Sequence, residues 1–172
     1  METVIIFFSK SGENFIHGKK QTILVGNTKF LAFKINEQLE VPMFELIPQR
    51  AYPKEYDRLL KQTKLEKEEA QAVEYRPLVL DLKKVQTIFL GFPNWWGSYP
   101  EIIKTFIQAN DWEDKVIYPF CTHEGSAMGS SIEDLERDCS GAFVHTGLPV
   151  CGSRVEKADL AISNWLIEYI NQ

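Results

Sequence analysis

The stretch Val85 to Phe92, VQTIFLGF, is apolar almost throughout but too short for a packed helix. Such a run reads as a strand buried on both faces, and that demands cover on each side. Val4 to Phe8 (VIIFF) and Val116 to Cys121 (VIYPFC) repeat the pattern, with shorter strands expected at Met43 to Ile47 and Ala142 to Val144. The segments between them change period. Leu31, Ile35 and Leu39 recur every four residues after Asn27, as an amphipathic helix requires. A thin-faced surface helix is expected over about 53–72. Ser98 is expected to cap a third helix, with Pro100 in its first turn and Ile103, Phe106 and Ile107 inward. Ser130 and Glu133 have capping-box spacing ahead of Ile132, Leu135 and Cys139. Val155, Ala158, Ile162, Trp165 and Tyr169 mark a closing helix. Strand and helix thus alternate five times, which predicts a doubly wound, three-layer α/β/α domain around a parallel sheet.

With 172 residues and no composition shift, the chain is expected to form one domain, residues 1–172. The formal net charge is −5 and no dense Lys/Arg cluster occurs, so nucleic acid is not an expected partner. Cys121, Cys139 and Cys151 form no close pair and have no ligand-like spacing to the three His, which argues against zinc and against a disulfide framework. No apolar segment approaches the length of a membrane span, so a cytoplasmic protein with no membrane contact is expected.

In an open α/β sheet, ligands bind beyond the carboxyl ends of the strands. Three segments with unusual chemistry fall there. The first pairs Ser9, Ser11 and Gly12 with Gly26, Asn27 and Thr28, which open a helix; these last residues can cap the helix or use its free N–H groups to bind an anion. The run Gly12 to Lys20 is no Walker loop, because Lys20 stands where Ser or Thr belongs, and no GxGxxG occurs. Between the two halves, Asn14 to Val25 reads as a hairpin excursion turning at His17-Gly18, an insertion over about 13–25 that rises beside the site.

The second segment is Pro93-Asn94-Trp95-Trp96-Gly97. Adjacent side chains of an extended chain point opposite ways, so both Trp cannot easily enter the core, and one is available to a flat ligand or a nearby helix. The third is Thr122-His123-Glu124-Gly125 with the Gly- and Ser-rich turn after it, able to approach a polar heterocycle closely. His123 lacks a neighbouring nucleophile, and no catalytic residue is assigned.

Together, FFSKSG with GNT, LGFPNWWGSYP and PFCTHEGSAMGSSIEDL resemble the flavodoxin-like family, in particular its short-chain "flavodoxin 4" type, over nearly the whole chain. The resemblance implies a five-stranded parallel sheet in order 2-1-3-4-5 and non-covalently bound FMN. It implies that Ser9, Ser11, Gly26, Asn27 and Thr28 form the phosphate loop. Pro93, Asn94, Trp95, Trp96 and Gly97 would border the isoalloxazine ring, and Thr122, His123, Glu124 and Gly125 would make the second ring-contacting loop. Two uses of such a protein remain open at this stage. One is an electron carrier working with a redox partner protein. The other is an NAD(P)H-dependent FMN oxidoreductase acting on quinones or similar small acceptors. A cofactor-free interaction module is a third class, and the retained Ser9, Asn27, Thr28 and paired Trp argue against it. Oligomeric state is left open by these features.

Overall fold

Val4, Ile6 and Phe8 at the first strand belong to one buried cluster, and Ile5 and Phe7 to another. This alternation follows the two-residue period of a strand covered on both faces. The computed structural model describes residues 2–171. In it, β1 (Glu2–Phe7) pairs in parallel with β4 (Met43–Glu45) on one side and β5 (Val85–Pro93) on the other. β6 (Val116–His123) follows β5, and the last position is shared by β7 (Phe143–Val144) and β8 (Leu148–Cys151), both parallel to β6. The sheet therefore has the expected 2-1-3-4-5 order, with its fifth strand in two pieces. Only the first piece was legible, because Gly147 and Pro149 read as turn residues around the second.

Helices cover both faces. α1 (Asn27–Leu39) and α5 (Asp159–Ile170) bury Leu31, Ile35, Ile162 and Leu166 on one side. α2 (Tyr56–Glu68), α3 (Glu101–Gln108) and α4 (Ser131–Asp138) bury Leu59, Ile103, Phe106 and Leu135 on the other. Truncating any one of these buried side chains to Ala costs about 2–5 kcal/mol. Gly91 stands opposite Phe120 across β5 and β6, and a Cβ there would lie 2.2 Å from the Phe120 ring. That glycine lets the ring lie flat on the sheet.

Residues between β1 and α1 form an antiparallel hairpin, β2 (Gly12–Ile16) and β3 (Lys19–Ile23), outside the main sheet. His17 and Gly18 make its tight turn, both at positive φ (52° and 73°), as the twist of a two-residue hairpin requires. The hairpin leans on the start of α2. Phe15 stacks on Tyr56 with centroids 5.9 Å apart, and the Glu13 carboxylate accepts the Tyr56 N–H at 2.8 Å.

Two expected caps are replaced. Pro100, not Ser98, precedes α3, and the Ser98 hydroxyl donates instead to Asp134 at 2.6 Å. Ser130 precedes α4 without capping it; its hydroxyl is drawn to Asp134 at 2.7 Å and to the Gly97 carbonyl. Asp134 thus draws both hydroxyls, Ser98 from a separate loop and Ser130 from one helical turn away. The surface helix spans Tyr56–Glu68, shorter at both ends than expected.

Candidate functional site

The divided loop is closed by a side chain. The Ser9 hydroxyl accepts the Lys29 N–H at 3.0 Å, so the end of β1 caps the first turn of α1 from the far side of the hairpin. Close approach makes this possible: a Cβ at Gly26 would stand 2.2 Å from Ser9 Oγ and 2.7 Å from the Lys10 carbonyl. Asn27 and Thr28 then head the helix, and among the described residues their N–H groups have no protein acceptor. Two free donors at the positive end of a helix dipole form an anion-binding arrangement. The Thr28 side chain is only 1% exposed, and its hydroxyl shares a 2.7 Å hydrogen bond with that of Thr122 at the end of β6.

The loop after β5 resolves the question of the paired Trp. Trp95 and Ser98 exchange backbone hydrogen bonds around Trp96 and Gly97, which take φ of 56° and 84°. This tight turn sends the two indoles apart. Trp95 is half-buried and packs edge-on against Phe8 and Tyr52, each 5.4 Å away between ring centroids. Trp96 turns out to α2, where its indole N–H donates to Thr63 Oγ1 at 3.0 Å.

The loop after β6 is tied to the Trp loop at several points. The Asn94 side chain donates to the Ala127 carbonyl at 2.8 Å, and the Ser130 N–H donates to the Gly97 carbonyl at 2.8 Å. Asp134 accepts from both Ser98 and Ser130, while Tyr99 donates to Asp138 at 2.6 Å. Burial works against charge on Asp134, yet the two hydroxyls and the Arg137 guanidinium hold its carboxyl below the ordinary value. The two loops are thus pre-organised as one wall. His123 Nδ1 accepts the Gly125 N–H at 2.9 Å, which leaves the proton of a neutral imidazole on Nε2. Burial lowers its pKa, against the pull of Glu124. The Glu124 carboxylate accepts the Ser153 N–H at 2.8 Å.

Asn27, Thr28, Pro93, Asn94, Trp95, Thr122, His123 and Glu124 converge on one open cleft of about 630 Å³, counting the space open to solvent. Ser9, Ser11, Gly26, Trp96, Gly97 and Gly125 do not line it. Ser9 and Gly26 shape the helix entry from behind, and Ser11 faces a neighbouring cleft. Lys10, Asn14, Phe15, Tyr56 and Gly152 line it and were not anticipated. Lys10 is the most consequential of these. Burial lowers the pKa of its amine despite the opposing carboxylates of Glu13 and Glu55, so an anion bound beside it would favour the charged form. Its place directly after a strand-end Ser was the available signal. Asn14 and Phe15 bring the hairpin into the cleft wall. Beside the cleft, Leu59, Leu60, Thr63 and Trp96 form an apolar recess of about 460 Å³ that shares Tyr56, Asn94 and Trp95 with it. Among the described residues no group of three His, Cys, Asp or Glu is arranged to hold a metal, and no helix is long and apolar enough to cross a membrane.

Comparison with known proteins agrees with this architecture. A candidate flavoprotein from Bacteroides eggerthii superposes with a TM-score of 0.78 at 20% identity, covering 99% of this chain and 98% of its own. A flavoprotein from Lactobacillus acidophilus, solved in complex with FMN, gives 0.63 at 18% identity over 91% and 97%. Oxidised flavodoxin 2 from Bacillus cereus gives 0.55 at 16% identity over 98% and 99%. No curated protein matches the sequence. The family model for flavodoxin matches residues 22–169, most of the chain, and the chain belongs to the flavodoxin family.

Proposed function

We propose that this protein binds FMN non-covalently in the cleft between α1 and the Trp loop and transfers electrons through it, in exchange with a redox partner protein. The observation that carries the reading is the pairing, within one cleft, of the unpartnered Asn27 and Thr28 N–H groups with the Trp95 indole. An anion-binding helix end beside an aromatic wall suits a flavin phosphate and ring. Family membership supports it, as does the FMN complex of the Lactobacillus acidophilus protein. Lys10 and the two N–H groups hold the phosphate. Trp95, backed by Phe8 and Tyr52, limits the tilt of the ring. Neutral His123 offers an N–H without adding charge. When bound, the flavin supplies one- and two-electron redox chemistry, and the protein holds it and tunes it.

The apolar recess beside the cleft favours a second use, reduction of a planar acceptor such as a quinone at the expense of NAD(P)H. Steady-state NADPH oxidation with a quinone, measured on the purified FMN-loaded protein alone, separates the two. Turnover supports the reductase; none, with flavin bound, leaves the carrier.

A further inference from the structure

A second cleft opens on the other side of the Ser9-to-Gly12 loop, and most of its lining takes no part in the flavin reading. It holds about 1080 Å³, counting the space open to solvent. Phe8 and Tyr52, both buried, form its floor, and Ile23, Leu24 and Pro48 line its sides. Leu24 is 94% exposed and so keeps a large apolar surface free for a ligand.

Three cations, Lys10, Lys54 and Arg76, line the same space, and no carboxylate does, in a chain with a formal charge of −5. Some surface cations sit beside carboxylates, as Lys20 does with Asp57 and Lys29 with Glu45. Among the described residues none of the three cleft cations has an ion-pair partner, and the Lys10 amine donates only to the Ser11 carbonyl. Glu13 and Glu55 act on Lys10 from outside the cleft lining, but no carboxylate pairs with any of the three cations, and an anion among them relieves their mutual repulsion. The hydroxyls of Ser11 and Thr22 and the Gln49 amide add neutral donors.

Charge alone would attract any anion, but the aromatic floor selects for more. An apolar body against Phe8 and Tyr52 and a charged head among the cations suit a bipartite ligand. We infer that this second cleft binds a small organic phosphate ester, its dianionic head held by Lys54 and Arg76 and its body resting on Phe8 and Tyr52. The site is distinct from the anion-binding end of α1, since Asn27 and Thr28 line the first cleft and not this one. The two clefts touch: Lys10 lines both, and Phe8 and Tyr52 each pack on Trp95. A ligand here therefore bears on the wall of the flavin cleft from behind.

Phenyl phosphate is a suitable probe, added to the full chain equilibrated with FMN and followed by backbone amide NMR shifts at Thr22, Ile23 and Leu24. The expected result is saturable binding at least about tenfold tighter than that of inorganic phosphate or phenol, because neither control fills both halves of the site. The Lys54→Gln/Arg76→Gln double variant weakens it by about tenfold or more and leaves FMN affinity within about twofold. Both side chains are exposed, and the single Arg76→Gln variant shifts binding in the same direction. No saturable binding, equal binding of inorganic phosphate, or undiminished binding by the double variant overturns the inference. A parallel loss of FMN affinity overturns it too, by making the cleft the seat of the flavin's own phosphate. The amide shifts are read whether or not FMN binds, so failure of the flavin reading is seen separately.

Discussion

Thr28 Oγ1 and Thr122 Oγ1 lie 2.7 Å apart in a buried hydrogen bond that joins the N-terminus of α1 to the carboxyl end of β6. The two residues are 94 positions apart in sequence, so this single contact links the anion-binding half of the cleft to the loop that forms its far end. Replacing Thr28 by Val keeps the shape but strands the Thr122 hydroxyl, and it should destabilise the fold by about 1–2 kcal/mol. FMN affinity should fall roughly tenfold in the same variant as the two halves lose their register, by the same scale of loss. Chemical denaturation and a fluorescence titration measure the two effects, and Thr28→Ser should restore most of both.

Gly26, the N-cap of α1, and Gly18, in the hairpin turn, have different jobs. Ala at 26 meets Ser9 Oγ and the Lys10 carbonyl, so it pushes the β1 loop off the helix end; a loss of about 2 kcal/mol and weaker FMN binding are expected. Ala at 18 meets nothing within 4 Å and carries only the backbone penalty of a positive φ, about 1 kcal/mol, with the cleft unchanged. Paired melting curves and FMN titrations separate the cases.

The hairpin brings Asn14 and Phe15 into the cleft wall, which changes what shortening it should do. Sequence alone pointed to an excursion that rises beside the site. The Phe15 ring stacked on Tyr56 implies a moderate loss of FMN affinity on Phe15→Ala, smaller than that caused by Thr28→Val. Isothermal titration of the two variants ranks them, and equal losses would make the hairpin as important as the helix end.

The thiols divide cleanly. Burial pushes Cys121 and Cys139 up to about 12, with Asp138 adding to the effect at Cys139, so neither offers thiolate at neutral pH. Half-buried Cys151 should be alkylated first by iodoacetamide, the other two only after denaturant is added, as peptide mass spectrometry will show.

His123 has a folded pKa below its unfolded value, so the unfolded chain binds the proton more readily. Its contribution is therefore fully present above the unfolded value of about 6.5 and is lost as pH falls through the folded one. Protonation also breaks the Gly125 N–H bond to Nδ1. NMR titration of the ring should give a midpoint below 6.5, and His123→Asn should flatten stability in that window.

Much of this was legible in the sequence because strands buried on both faces and helices of regular period announce themselves. VQTIFLGF and the Leu31-Ile35 spacing mark core elements directly. What escaped was decided by contacts between distant loops. Ser98 has cap-like local spacing, yet its hydroxyl crosses to Asp134, 36 residues away. Ser9 in turn caps a helix that begins on the far side of an insert, which no local pattern encodes. The direction of each Trp depended on the positive φ of Trp96, a non-glycine residue in a conformation that sequence does not advertise. Lys10 was overlooked because its importance comes from burial rather than from a motif.

The most direct test of the account is an FMN titration of the purified protein, with its visible absorbance recorded before and after. The account predicts a protein that carries flavin as isolated or takes up one equivalent, with quenching of Trp95 emission that is lost in Trp95→Leu. A colourless protein whose absorbance and tryptophan emission ignore added FMN would contradict it.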